Sequence, residues 1–280
     1  MRGAQAILGY CDPQIVGAGN ALHWVQLFSA GSENCVPIPA VRERGILITN
    51  MQRMSGPEIA EHALAMLLAF TRGLNVYLPA QRSGLWNEEL VPRSQTWELM
   101  GRTMLVVGLG GIGTGVAHRA HALGMRVVAT RASDQPKPEF VDAVAKPDAL
   151  LTLAAKADAV VNAAPLTPQT TGMYDARFFA AMKPTAYFIN VGRGGSVVTA
   201  DLVAALRAKR IAGAGLDVVD PEPLPPDHPL WQMGNVIITP HVAASSDRVF
   251  GRVLVIVQEN LRRYVAGEKM LSVVDAERGY

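Results

Sequence analysis

The most restrictive stretch in this chain is Val106-Val107-Gly108-Leu109-Gly110-Gly111-Ile112-Gly113, which carries Gly-x-Gly-x-x-Gly at Gly108, Gly110 and Gly113. Glycine-rich loops are common, so the motif is informative only through its surroundings. Before it, residues 102–107 contain Met-Leu-Val-Val, an apolar, β-branched run that predicts a strand. After it, residues 115–123 are Ala- and His-rich and free of Pro, which predicts a helix, and residues 125–129 predict a second strand. In such a strand-turn-helix-strand unit each glycine has a task. Gly108 permits the tight turn, Gly110 lets the backbone approach a pyrophosphate, and Gly113 lets the helix pack close to the strand. The helix amino end, with its unpaired N–H groups and positive dipole, attracts the phosphates. A merely structural glycine turn is the plainer alternative, and the flanking strands argue against it.

With 280 residues, 49% of them hydrophobic, the chain can bury a sizeable core in one large or two medium domains. A net charge of +2 argues against nucleic acid or an anionic membrane as partner. Cys11 and Cys35 form neither a Cys-x-x-Cys pair nor a dense framework, so they read as reduced thiols used for packing in a cytoplasmic protein. The amino terminus has no long apolar segment, and the apolar run at 63–70 is too short to span a bilayer.

Strands are predicted at 4–10, 22–29 and 45–49 and a short helix at 37–44, with Asp12-Pro13 opening a turn or helix. Ser55-Gly56-Pro57-Glu58 starts a helix that carries Ile59, Ala63, Leu67 and Phe70 near helical spacing. Residues 86–100 read as a loop, and Lys137-Pro138 and Lys146-Pro147 mark another loop-rich passage. Further strands are predicted at 157–162, 186–190, 212–218 and 235–239, and helices at 175–182, 199–209 and 245–266. This alternation predicts an α/β fold with a doubly wound parallel sheet. Ligands of such sheets bind beyond the carboxyl ends of the strands, where Gly108, Arg131, Pro165, Arg193, Asp217, Glu222 and His241 all fall.

Arg131 follows the second strand of the glycine-loop unit, where a carboxylate would bind the ribose hydroxyl of NAD and an arginine suits the 2′-phosphate of NADP. Ser133 stands near enough to help. The alternative is a solvated Arg131, with Asp134 contacting the ribose. Arg193 lies in a glycine-rich turn, where a fixed guanidinium can grip a carboxylate with two parallel hydrogen bonds. His241 follows Thr239-Pro240 at a strand end, and histidine is the usual proton carrier near neutral pH. Glu222, between prolines in Asp220-Pro221-Glu222-Pro223, could fix the histidine tautomer if the two meet in space. His118 and His121 share a helix face, but no carboxylate or cysteine nearby completes a metal site.

Assembled, these residues resemble the D-isomer-specific 2-hydroxyacid dehydrogenases over about 3–274. The matching segments are 108–113, Ala164-Pro165-Leu166-Thr167-Pro168, Asn190-Val191-Gly192-Arg193-Gly194-Gly195, Leu216-Asp217-Val218 with Pro221-Glu222-Pro223-Leu224, and Thr239-Pro240-His241. Ser29-Ala30-Gly31 matches the substrate loop and Ala60-Glu61-His62-Ala63-Leu64 a bridging helix. The resemblance implies a dinucleotide-binding domain over 56–243 and a smaller flavodoxin-like substrate domain from 1–55 and 244–280. It implies that Arg193 orients the substrate carboxylate and carbonyl, His241 donates the proton, Glu222 supports His241, and amides at Ala30 and Gly31 hold the substrate carboxylate. Cofactor contacts are implied at Gly108, Gly110, Gly111, Ile112, Gly113, Arg131, Ser133, Pro165, Thr170, Val191 and Asp217, the last on the nicotinamide side. A homodimer is implied as well.

Two departures stand out. The family usually has a further β-α stretch before the region matching Gly3, roughly fifty residues against a domain size of about 100–150, so the substrate domain is expected to be incomplete at its amino end with an open sheet edge. Ser32-Glu33-Asn34 stands where family members often carry an aspartate. The expected activity is reduction of a small 2-oxoacid of the glyoxylate or hydroxypyruvate kind, with NADP preferred and NAD possible. A formate-type dehydrogenase is an alternative, but that pattern pairs glutamine with the histidine where this chain has Glu222. An alternative of another class is a dinucleotide-binding sensor or scaffold without turnover.

Overall fold

In the computed structural model, which describes residues 3–52, 54 and 56–275, the apolar runs form short strands and the segments between them mostly coil into helices. The strands are β1 (Ala6–Leu8), β2 (Trp24–Gln26), β3 (Leu47–Thr49), β4 (Thr103–Val107), β5 (Arg126–Thr130), β6 (Ala143–Ala145), β7 (Ala159–Asn162), β8 (Tyr187–Asn190), β9 (Gly213–Leu216) and β10 (Val236–Ile238). The helices are α1 (Pro13–Ala18), α2 (Pro39–Glu43), α3 (Gly56–Thr71), α4 (Leu74–Arg82), α5 (Gly111–Ala122), α6 (Leu150–Ala154), α7 (Ala176–Ala181), α8 (Thr199–Arg207) and α9 (Val249–Ala266). The chain divides into two compact units, Gly56–Ala244 and Met1–Ser55 with Ser245–Tyr280.

The larger unit is built on a seven-stranded parallel sheet in the order β10-β9-β8-β7-β4-β5-β6. Alternation along β4 sends Met104 and Val106 into one apolar cluster, shared with α3 and α5, and Leu105 and Val107 into another, shared with α7 and α8. Both faces of the central strands are therefore buried, which is why β7 and β8 read as continuous apolar runs. From β4 the chain winds outward through β5 to β6, then returns to β7 and winds the other way. That reversal opens a crevice at the carboxyl ends of β4 and β7.

Several elements depart from the sequence expectation, the short helix α6 among them, since its five residues are too few to mark a helical period. The helix after the glycine loop begins at Gly111, four residues earlier than expected, because the close-packed glycines are themselves helical. The passage read as loop between Lys137-Pro138 and Lys146-Pro147 contains β6, a three-residue edge strand paired with β5. Helix α4 was not expected; it begins after Gly73, whose φ is 70°, and buries none of its residues. Among the described residues no single helix is long and apolar enough to cross a membrane, although α3 and α4, bent by 75°, pass that test as a pair, and α3 is mostly buried.

The smaller unit has a parallel sheet in the order β1-β2-β3. A buried polar chain ties its two segments together. Trp24 donates to the Thr49 hydroxyl (2.8 Å), Thr49 to Gln26 Oε1 (2.8 Å), and Asn260 of α9 donates to the same oxygen (2.8 Å). Contrary to the expectation of free thiols, Cys11 and Cys35 are joined in a disulfide with a Cα–Cα distance of 5.6 Å. Cys11 follows β1 and Cys35 precedes α2, and parallel pairing of β1 with β2 brings those two connections to the same end of the sheet. The case for a cytoplasmic setting from unpaired thiols falls with it.

Candidate active site

The glycine loop fits a dinucleotide. A Cβ on Gly108, whose φ is 91°, would lie 2.9 Å from the backbone of Ala164, so the turn is pressed against the segment that follows β7. A Cβ on Gly113 would overlap the carbonyl oxygen of Gly108, so only glycine lets α5 start there. A Cβ on Gly110 would meet nothing within 4 Å, leaving an open approach to the amino end of α5 and the first-turn amides of Gly111, Ile112 and Gly113. Pro165 is exposed on the facing loop. Thr170 closes that loop, donating its hydroxyl to the Pro165 carbonyl (2.7 Å) and accepting from the Thr167 amide (2.7 Å).

Arg193 follows β8 on a turn held from beneath by buried amides. Asn162 donates to Asn190 Oδ1 (2.8 Å) and to Ser196 Oγ (2.9 Å). The Arg193 carbonyl accepts from Asn190 Nδ2 (3.1 Å) and from the Ser196 hydroxyl (2.6 Å). Asn190 Oδ1 also takes the Gly192 amide (3.1 Å), while the buried Val191 donates its amide to Asn162 (3.2 Å). A satisfied buried network of this kind fixes backbone position tightly. The Arg193 guanidinium itself is half-buried and donates to the Gly192 carbonyl (2.8 Å). A Cβ on Gly194 would overlap the carbonyl oxygen of Val219, so the Arg193 turn lies directly on the start of the Glu222 loop.

Glu222 and His241 meet, with His241 Nδ1 2.9 Å from Glu222 Oε2. The other carboxylate oxygen accepts the Val219 amide (3.0 Å), which fixes the carboxylate plane. Both proline bonds flanking Glu222 are cis. With Nδ1–H given to Glu222, the His241 Nε2 edge is turned away from the carboxylate, and half the side chain is exposed. His241 has a φ of 54°, a left-handed conformation that costs a non-glycine residue about 1–3 kcal/mol unless its surroundings hold it.

Asp217 supplies that hold. Its carbonyl accepts the His241 amide (2.8 Å), its Oδ1 the Val242 amide (3.0 Å) and its Oδ2 the Ala243 amide (3.1 Å). The Thr239 hydroxyl adds a bond to Oδ1 (2.6 Å). Asp217 is 3% exposed, so the carboxylate read from the resemblance as a cofactor contact lies buried under the histidine turn. Sequence reasoning missed this use of Asp217, along with Asn162 and Ser196. The only cue was polar side chains at the ends of otherwise apolar strands.

At the far side of the crevice Arg131 turns back on its own loop, donating to the carbonyls of Ser133 (3.3 Å), Gln135 and Pro136 (3.4 Å). Asp134 is paired with Lys146 (2.5 Å), which also donates to the Ala132 carbonyl (2.9 Å). The hydrogen bond from Lys146 holds the Asp134 carboxyl below its ordinary range. In sequence, Lys146 carries no signal beyond the loop marked by Lys146-Pro147. His118 packs edge-on against Phe140. In the smaller unit, the Ala30 carbonyl accepts from Asn50 Nδ2 (2.7 Å) and the Gly31 carbonyl from the Ser29 hydroxyl (2.8 Å), which fixes that turn.

Residues 64–243 match the family model described as D-isomer specific 2-hydroxyacid dehydrogenase, NAD binding domain. The chain is 34% identical to a glyoxylate reductase of Thermofilum pendens over 274 residues, covering 95% of this chain and 78% of that one. It is 33% identical to the glyoxylate reductase/hydroxypyruvate reductase of Homo sapiens over 270 residues, covering 94% and 80%. Among solved structures, it superposes on an NADPH-dependent glyoxylate/hydroxypyruvate reductase from Sinorhizobium meliloti, in complex with NADP and sulfate. That match has a TM-score of 0.88 at 28% identity and covers 100% of this chain and 87% of that one.

Proposed function

The chain belongs to the D-isomer-specific 2-hydroxyacid dehydrogenases, nicotinamide-dependent oxidoreductases, and from that premise we propose that it reduces a small 2-oxoacid of the glyoxylate or hydroxypyruvate kind with NADPH. The observation that carries this reading is the pairing of His241 with Glu222 at 2.9 Å, beside an Arg193 turn packed on the Glu222 loop.

The roles follow from chemistry. When bound, a reduced nicotinamide cofactor would supply the hydride for the keto carbon. The Arg193 guanidinium binds the substrate carboxylate and polarises the carbonyl oxygen. His241, doubly protonated and held through Nδ1–H by Glu222, gives the Nε2 proton to that oxygen as it becomes an alcohol. Glu222 stays ionised and stabilises the imidazolium beforehand. Arg131 is assigned to the 2′-phosphate of NADP, swinging from carbonyls of its own loop to a dianion. Gly110 and the first turn of α5 take the pyrophosphate.

A homodimer fits an exposed apolar group on the larger unit, namely Leu74 and Leu78 of α4 with Leu85 and Trp86 just beyond it, Trp86 being 92% exposed. Sedimentation of the purified chain tests this, and a monomer at micromolar concentration refutes it.

The deciding assay is nicotinamide absorbance with NADPH and with NADH, using glyoxylate and hydroxypyruvate as acceptors. Turnover with NADPH well above NADH supports the reading. Binding of NADPH with no turnover of any 2-oxoacid moves the protein to the non-catalytic class.

A further inference from the structure

We infer that His62, on α3, is a positioning residue for the proton donor, acting through Thr239 and Asp217 on the turn that carries His241. The inference rests on the reading of His241 as proton donor and extends it to a residue 179 positions away in sequence, which the family motifs leave as part of a helix.

The geometry begins with how α3 is seated. A Cβ on Gly56 would lie 2.8 Å from the Gly111 carbonyl oxygen, and one on Gly115 would lie 2.9 Å from the Gly56 carbonyl oxygen. The amino ends of α3 and α5 therefore meet backbone to backbone. Nearly three turns further along α3, Met66 fills the space above Gly215 of β9, where an added Cβ would lie 2.9 Å from its sulfur. These contacts leave α3 little freedom to slide along the sheet. His62 precedes Met66 by four residues, about 6 Å along a helix. Asp217 follows Gly215 by two residues, about 6.6 Å along a strand and on the same face. The equal steps bring the His62 imidazole over the end of β9.

There it makes a directed chain. His62 Nε2 is 2.9 Å from Thr239 Oγ1, and Thr239 Oγ1 is 2.6 Å from Asp217 Oδ1. An ionised carboxylate only accepts, so Thr239 must spend its one proton on Asp217. Its oxygen is then left to accept, and His62 must carry hydrogen on Nε2. His62 thus fixes the Thr239 hydroxyl rotor, and Nε2 also stands 3.6 Å from Asp217 Oδ1. Asp217 in turn holds three consecutive amides, those of His241, Val242 and Ala243. This is the grip that keeps His241 in its left-handed conformation, with its ring aimed at Glu222. Loss of the His62 donor leaves the threonine rotor free and the carboxylate less firmly oriented. The first thing to loosen is the His241 turn.

The experiment uses two variants of the full chain and two readouts. His62→Leu removes the donor at similar volume. His62→Gln restores an N–H near the Nε2 position without an imidazole. The first readout is native-state hydrogen exchange at the three amides. His62→Leu is expected to speed exchange at His241, Val242 and Ala243 about tenfold, with amides elsewhere on α3 and β9 unchanged, and His62→Gln to recover most of the protection. The second is steady-state reduction of the 2-oxoacid. There, kcat should fall about five- to tenfold in His62→Leu while NADPH affinity stays within about twofold, and His62→Gln should return it to within about threefold of the parent. Unchanged exchange at the three amides overturns the inference, as does a uniform rise along α3 and β9. So does His62→Gln behaving like His62→Leu. If the parent protein turns over no 2-oxoacid, the proposed function fails by that result, and the exchange readout still decides the role of His62.

Discussion

His241 and Arg131 stand beyond the carboxyl ends of strands in one sheet, past β10 and β5, yet they are held in opposite ways. The histidine sits on a turn whose successive amides are all bonded to a buried aspartate, and its ring is clamped by a carboxylate that is itself fixed by a backbone N–H. Arg131 and its neighbours Asp134 and Lys146 are surface side chains satisfied by the carbonyls and charges of their own loop. Proton transfer requires a donor fixed to a few tenths of an ångström, and only a buried, satisfied network provides that. Choosing between two dinucleotides requires only net charge at one exposed phosphate. The chemical end of the crevice is therefore expected to be intolerant of change, and the adenosine end adjustable.

The largest expected effect is at His241. His241→Gln should lower kcat by about 10²–10⁴-fold with NADPH affinity little changed, as stopped-flow and titration would show. A smaller loss would mean that another group donates the proton. Next, Arg193→Lys keeps the charge but loses the planar fork, and kcat/KM for the 2-oxoacid should drop about 10²-fold, the scale of two charge-assisted hydrogen bonds. At the other end, Arg131→Ala should raise KM for NADPH about tenfold while leaving KM for NADH alone. Equal effects on both cofactors would erase the proposed contrast. The smallest change is expected from Lys146→Ala. It unpairs Asp134, whose carboxylate would then favour ribose hydroxyls over a phosphate, shifting the NADPH/NADH ratio toward NADH about threefold. Adding Asp134→Asn to that variant should reverse the shift.

The same contrast governs what could be read from sequence. The glycine loop and the apolar strands announce themselves because their constraints are local. Gly108 needs its positive φ, and β4 alternates between two cores. Helix α4 was hidden because it carries Pro79, which reads in sequence as a helix breaker, and because none of its residues is buried. β6 was hidden because three residues flanked by proline signals are too few to show alternation. The Cys11–Cys35 pairing depends on two parallel strands lying side by side, which spacing does not encode. Within the site, the residue types and their strand-end positions were legible, and the pairing of Glu222 with His241 was open until the fold placed them together. The supporting roles of Asn162, Ser196, Asp217 and His62 were not legible, since the hydrogen bonds that a buried polar residue makes depend on the fold that surrounds it.

The seat of Gly194 on the Val219 carbonyl has a consequence for anyone altering this protein. Because the Arg193 turn and the Glu222 loop share that surface without a side chain between them, mutations in the two loops will be epistatic. A change that re-aims Arg193 toward a bulkier acid displaces the carboxylate that orients His241, and productive variants will be found as correlated pairs. Libraries that vary the two loops one at a time will mostly sample losses.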